Sequence, residues 1–123
     1  MFRLSKEQLQ ALSLHLQDDF LKRTASHLLA NFPAELAKHG LQSNQLEQLI
    51  QRGVNEAESF GVVHEHDVRL YIECMVVLHP RFAWAQDTPW FGEVLRREDL
   101  SGTEKMDMVH DQLVFGLYED GLE

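Results

Sequence analysis

Residues 61–80 read GVVHEHDVRLYIECMVVLHP, and the fold turns on how this stretch is read. From Val68 to Leu78 apolar residues fill almost every position. Only Arg69 and Glu73 are charged, and they stand four apart on a single helix face. A helix that is apolar nearly all round belongs in the middle of a bundle. The stretch therefore predicts a central helix over about residues 65–79, stopped by Pro80. The tetrapeptide His64, Glu65, His66, Asp67 leads into it. As a metal site it is weak, because zinc helices carry histidines four apart and these are two apart. As the first turn of a helix it is ordinary: acids there face the positive end of the helix dipole and accept free backbone N–H groups.

The rest of the chain is also helical in pattern. Ser5 and Gln8 have capping-box spacing, and Leu9, Leu12, Leu16 and Phe20 follow on one face of a helix that reaches about residue 30. Pro33 disfavours helical geometry at Phe32 and can open a short helix that stops at Gly40. A third helix covers about residues 44–60 with the stripe Leu46, Leu49, Ile50, Gly53, Ala57, Phe60, and stops at Gly61. Gly53 inside that stripe costs about 1 kcal/mol against alanine. Either a neighbouring helix comes close there or the glycine is simply tolerated. Thr88 and Pro89 mark the start of a fifth helix over about residues 89–98. Ser101 and Glu104 form a second capping box, opening a last helix to about residue 119 with Met106, Val109, Leu113 and Leu117 inward. No alternating strand pattern, internal repeat or linker is present. The expectation is an all-α, single-domain bundle of five to six helices over residues 1–123.

Composition supports that class: 44% hydrophobic and 25% charged residues are globular values. No apolar run approaches the roughly 20 residues a spanning helix needs. The opening MFRLSKEQLQ is too polar for a signal peptide. The single cysteine, Cys74, allows no internal disulfide and fits a reducing cytoplasm. The net charge is −9 and lopsided. Residues 1–62 hold six Lys/Arg and seven Asp/Glu, a net of −1, whereas residues 63–123 hold five and thirteen, a net of −8. Such a field disfavours nucleic acid and anionic membranes, and favours a basic protein partner or merely keeps the domain soluble.

Three groups of residues are candidates for function. Arg23 and His27 continue the Leu16, Phe20 spacing, so both are expected to point inward toward a carboxylate: Asp19 nearby, or Glu65, Asp67 or Glu73 from afar. Arg23, His27, Glu65 and Asp67 read as an interhelical polar clamp. The rival reading is an acid/base or ligand cluster, which lacks a nucleophile. Phe82, Trp84, Trp90 and Phe91 form an aromatic loop that serves either as a partner-binding patch or as a lid on the bundle. Glu104, Asp107 and Asp111 share one side of the last helix, with Glu119, Asp120 and Glu123 beyond, as a docking face or a solvated one. Cys74, among apolar neighbours, reads as core filling. No nucleotide-binding, thiol-redox or hydrolase motif occurs, and no cofactor or metal is expected.

The runs KRTASHLLANFP, LIQRGVNEAESFGVVHEHDVRLYIECMVVL, TPW and LSGTEKM together resemble small helical proteins encoded beside spike, PAAR-type tip and toxin genes of bacterial type VI secretion systems. The resemblance covers about residues 22–106. Its matching positions are Arg23, His27, Phe32, Pro33, Gly53, Ala57, Gly61, Glu65, Asp67, Val68, Tyr71, Trp90 and Lys105. The chain departs from it at HPRFAWAQ, where a glycine- and aspartate-rich loop is expected. The resemblance implies a cytoplasmic helper that binds a toxin effector or its spike or PAAR-type carrier. That helper is an adaptor or chaperone first, and an immunity protein as the alternative. A small enzyme, or a metal- or ligand-binding protein built on Arg23, His27, Glu65 and Asp67, is the reading from another class.

Overall fold

The structure, a computed structural model, describes residues 6–122, with side-chain surroundings for residues 18–42 and 44–114. Ser5, the first member of the proposed N-terminal capping box, and Glu123 lie outside the described residues. So do the side chains of Leu9, Leu12, Leu16, Leu117, Glu119 and Asp120.

Among the described residues the chain is all-helical. The order is α1 (Lys6–Asn31), α2 (Pro33–Lys38), α3 (Ser43–Ser59), α4 (Glu65–Val77), a 3-10 turn (Phe82–Trp84), α5 (Pro89–Leu95) and α6 (Gly102–Leu122). Helix α4 is the hub: it packs against α3 most extensively, and against α6, α1 and α2. Tyr71, Ile72, Met75 and Val76 are fully buried, and Cys74 nearly so. Burying each large apolar side chain stabilises the fold by about 2 kcal/mol. One contiguous core joins these residues to Leu46, Leu49, Ile50 and Ala57 of α3 and Met106 and Val109 of α6. Among the described residues no helix is long and apolar enough to cross a membrane.

The stops and starts follow local chemistry. Gly40 and Gly61 take φ of +66° and +78°, the left-handed conformation that ends α2 and α3. Pro33 and Pro89 sit in the first turns of α2 and α5. Thr88 occupies the cap position of α5, but its side chain makes no cap hydrogen bond. Helix α5 ends at Leu95 rather than residue 98, because the Arg97 N–H turns back to the Val94 carbonyl at 3.2 Å. Ser101 and Glu104 form the reciprocal box: the Glu104 N–H donates to Ser101 Oγ at 3.1 Å, and the Ser101 N–H to Glu104 Oε1 at 3.0 Å. The Ser101 hydrogen bonds hold the Glu104 carboxyl below its ordinary range.

Gly53 faces α4 at close range. A Cβ built there would stand 2.7 Å from Ile72 Cγ1 and 3.0 Å from Met75 Sδ. Of the two readings of this glycine, close helix approach is the one realised.

The inward face of α1 departs from expectation. Among the described side chains of α1, Phe20, Thr24 and Leu28, spaced by four, are the buried ones. Arg23 and His27 lie one position to the side, and Arg23 remains 54% exposed. After Phe20 the stripe can continue by three or by four. Spacing by four buries Leu28 and leaves the guanidinium hydrated, which avoids a large desolvation cost.

Candidate functional site

The first candidate is the polar seam between α1 and α4. Arg23 Nε donates to Asp19 Oδ2 at 2.9 Å, and its Nη1 pairs closely with Glu65. These bonds, Glu65 first, raise the Arg23 guanidinium above its ordinary value. One turn on, His27 Nε2 meets Glu73 Oε1 at 2.7 Å. Asn31 Nδ2 lies 3.2 Å from His27 Nδ1 and 2.8 Å from the His27 carbonyl. An Nε2–H tautomer satisfies both ring nitrogens: Nδ1 accepts from Asn31 and Nε2–H donates to Glu73. Arg69 Nε stands 4.0 Å from the same Glu73 oxygen and has no hydrogen-bond partner of its own.

Asp67 does not join this seam, and Glu73 takes its place. Glu65 and Asp67 are two residues apart, roughly 200° around the helix, so they cannot share a face. Asp67 turns to the opposite side, is 4% exposed, and accepts a hydrogen bond from Thr103 Oγ1 of α6 at 2.7 Å. Beside it the buried Lys105 donates from Nζ to the Phe60 carbonyl at 2.7 Å, satisfying a terminal acceptor of α3. The expected four-residue cluster is thus two structures. Arg23, His27, Glu65 and Glu73 tie α1 to α4, while Asp67 and Lys105 help tie the α3–α4 region to α6. Among the described residues no three His, Cys, Asp or Glu side chains gather as metal ligands would.

The second candidate is the corner built by the 3-10 turn and α5. Here the four expected aromatics divide. Phe82 and Phe91 are 1% and 7% exposed and belong to the core, which corrects their assignment as contact residues. Their rings meet edge-on at 6.1 Å, and Phe82 packs on Tyr71 at 5.0 Å. Trp84 and Trp90 stay outside at 45% and 36% exposure. The alternation has a local cause: a tight turn points Phe82 and Trp84 to different sides, and Trp90 and Phe91 are neighbours on α5.

Residues that the sequence did not assign to this corner complete it. Phe60, at the end of α3, packs on Trp84 with centroids 5.8 Å apart. The Arg81 guanidinium lies 5.0 Å from the Trp84 centroid. That of Arg96 lies 5.6 Å from both the Trp84 and Phe60 centroids. Arg96 Nη1 also donates to the Ala83 carbonyl at 3.0 Å, which holds the 3-10 turn against α5. Arg81 was legible, three residues before Trp84. Arg96 was not, because only the α5 packing brings it back to the turn.

Beside the corner runs an open groove of about 740 Å³, bounded by Phe60, Val63, His64, Leu95, Arg96 and the start of α6. Its hydroxyls are occupied by the fold. Ser59 Oγ donates to the Glu56 carbonyl, Thr103 to Asp67, and Ser101 Oγ accepts from Glu104. Arg97 on the rim is held in a two-point pair with Asp99, at 3.0 and 2.5 Å, which raises the arginine and lowers the aspartate from their ordinary values. The Cys74 thiol is pushed up to about 12, by burial first and by Glu73 second, and so stays protonated near neutrality. The arrangement is chemically suited to gripping a surface. Glu104, Asp107 and Asp111 are all exposed along α6.

No protein-family profile matches the chain, and neither a curated protein nor a solved structure matches it.

Proposed function

We propose that this chain is a protein-binding accessory protein of a secreted-toxin gene cluster, acting as an adaptor or chaperone for the toxin or its spike carrier. The observation that supports this reading is the pair of exposed indoles, Trp84 packed on the half-buried Phe60 ring and Trp90 on the buried ring of Phe91. Tryptophan and arginine dominate interface hot spots, and Trp84 carries two arginines on its ring. Anchors fixed by a rigid backing lose little freedom when a partner docks. The acidic face Glu104, Asp107 and Asp111 supplies a field that speeds encounter.

The test is co-expression of the tagged chain with the products of the adjoining toxin and carrier genes, followed by co-purification. A stable complex is expected with one of them. Trp84→Ala and Trp90→Ala are each expected to weaken it by about 2 kcal/mol, roughly thirtyfold. An intact complex with both variants rejects the anchor. Rescue of growth from the toxin, with secretion unchanged, assigns the chain to immunity instead.

A further inference from the structure

We propose that the Trp84 corner receives an acidic segment of its partner: carboxylates that pair with Arg81 and Arg96, beside an apolar side chain entering the groove at Phe60. The inference rests on the protein-binding reading above and names the partner's chemistry. It is opposite in sign to what the net charge of −9 suggests.

Ion pairing among the described residues is the starting point. Lys22, Arg23, Arg52, Arg69 and Arg97 all have a carboxylate partner. Lys38, Lys105, Arg81 and Arg96 have none among the described residues; Lys105 is buried on the Phe60 carbonyl and Lys38 stands alone at the end of α2, so the two arginines are the unpaired cations that meet at one site. Both lie over the same exposed indole, Arg81 at 5.0 Å and Arg96 at 5.6 Å from its centroid. Stacking uses the face of a guanidinium and leaves its in-plane N–H groups for a second partner. Arg96 commits one of them to the Ala83 carbonyl, and Arg81 makes no side-chain hydrogen bond among the described residues. Two guanidiniums at one indole, neither with a carboxylate partner among the described residues, leave in-plane N–H groups for an incoming carboxylate.

The neighbouring groove supplies the apolar half of the site. Phe60 and Leu100 line it, and Val63 stands on its rim at 63% exposure. Arg96 belongs to both the groove and the Trp84 stack, so one extended segment reaches both. Net charge and local charge act at different ranges. Salt screens the overall field beyond about 8 Å, so it governs approach, while the residues in contact govern the docked state. An acidic segment on an otherwise basic partner satisfies both.

The test uses the full chain and a random-peptide display library. Enriched peptides are synthesised and titrated into nitrogen-labelled protein, reading the Trp84 indole N–H signal assigned with Trp84→Phe. The expected peptides carry Asp or Glu next to an apolar residue and shift that signal. Arg81→Gln is expected to weaken them at least tenfold, with partial recovery in Arg81→Lys. Lys38→Gln, at an exposed lysine at the end of α2, is expected to leave them unchanged. Arg81 is exposed and holds no hydrogen bond of the fold through its side chain, so its substitution keeps the structure intact. Basic or neutral peptides that shift Trp84, or indifference to Arg81→Gln, overturn the acidic-partner inference and leave the binding function standing. No peptide that shifts Trp84 overturns both.

Discussion

Substituting Gly53 by alanine tests the reason why α3 and α4 lie as close as they do. In an unconstrained helix the change would stabilise by about 1 kcal/mol. Here the new methyl would stand 2.7 Å from Ile72 Cγ1 and 3.0 Å from Met75 Sδ. Carbon atoms pack best at roughly 3.5–4.0 Å, so the overlap with Ile72 is severe. Ile72 is fully buried and β-branched, and such a side chain holds one rotamer in a helix, so it cannot swing aside. Overpacking of this kind costs about 1–3 kcal/mol. With the upper part of that range set against the propensity gain, Gly53→Ala should lose about 1–2 kcal/mol. Urea unfolding followed by far-UV circular dichroism measures the loss. The same substitution in an Ile72→Ala background meets only Met75 Sδ, on a flexible side chain that can shift into the space Ile72 leaves. There it should become neutral or stabilising by up to about 1 kcal/mol, although Ile72→Ala alone costs about 2–5 kcal/mol. The difference between backgrounds is a coupling of about 2 kcal/mol. A stabilised Gly53→Ala single variant, or equal effects in both backgrounds, would show that contact with α4 is not why glycine stands there.

Thr103→Val removes the hydroxyl that donates to buried Asp67 and should destabilise by about 1–3 kcal/mol, read as a lower urea midpoint. A loss within a few tenths of a kcal/mol would mean that the Asp67–Thr103 bond does not secure α6. Alkaline stability should depend on Cys74, whose folded thiol titrates near 12 against an ordinary value of 9.0. Burying the neutral thiol contributes stability that is complete below pH 9 and is lost as pH rises toward 12. The slope is about 1.4 kcal/mol per pH unit. Cys74→Ala should remove this slope most clearly between pH 9 and 10, below the point where Tyr71, also raised by burial, begins to add its own, and an unchanged slope there would refute the assignment.

Although α5 stops at Leu95, short of the end its pattern suggested, the starts of α2, α3, α4, α5 and α6, the stops of α2 and α3, and the faces of α3, α4 and the described part of α6 were legible in the chain alone. Their signals are local: glycines at Gly40 and Gly61, the Ser101–Glu104 box, and apolar spacing that only one rotation of a helix can bury. Gly53 marked a close contact because an unfavourable residue in a helical stripe calls for a compensating neighbour. Tertiary structure decided the rest, wherever two local solutions cost nearly the same. After Phe20 the inward stripe could pass through Arg23 and His27 or through Thr24 and Leu28, and packing against α3 and α4 selected the latter. Helix spacing already separated Asp67 from Glu65, but its partner Thr103 came from α6 lying across the far side of α4, a placement that no local spacing encodes. The aromatic loop divided into core Phe82 and Phe91 and surface Trp84 and Trp90 once α5 folded over the 3-10 turn. Arg96 reached Trp84 by the same packing. Hydrogen bonds and ring contacts between residues far apart in the chain depend on helix positions, and those positions are a collective result of burying one core.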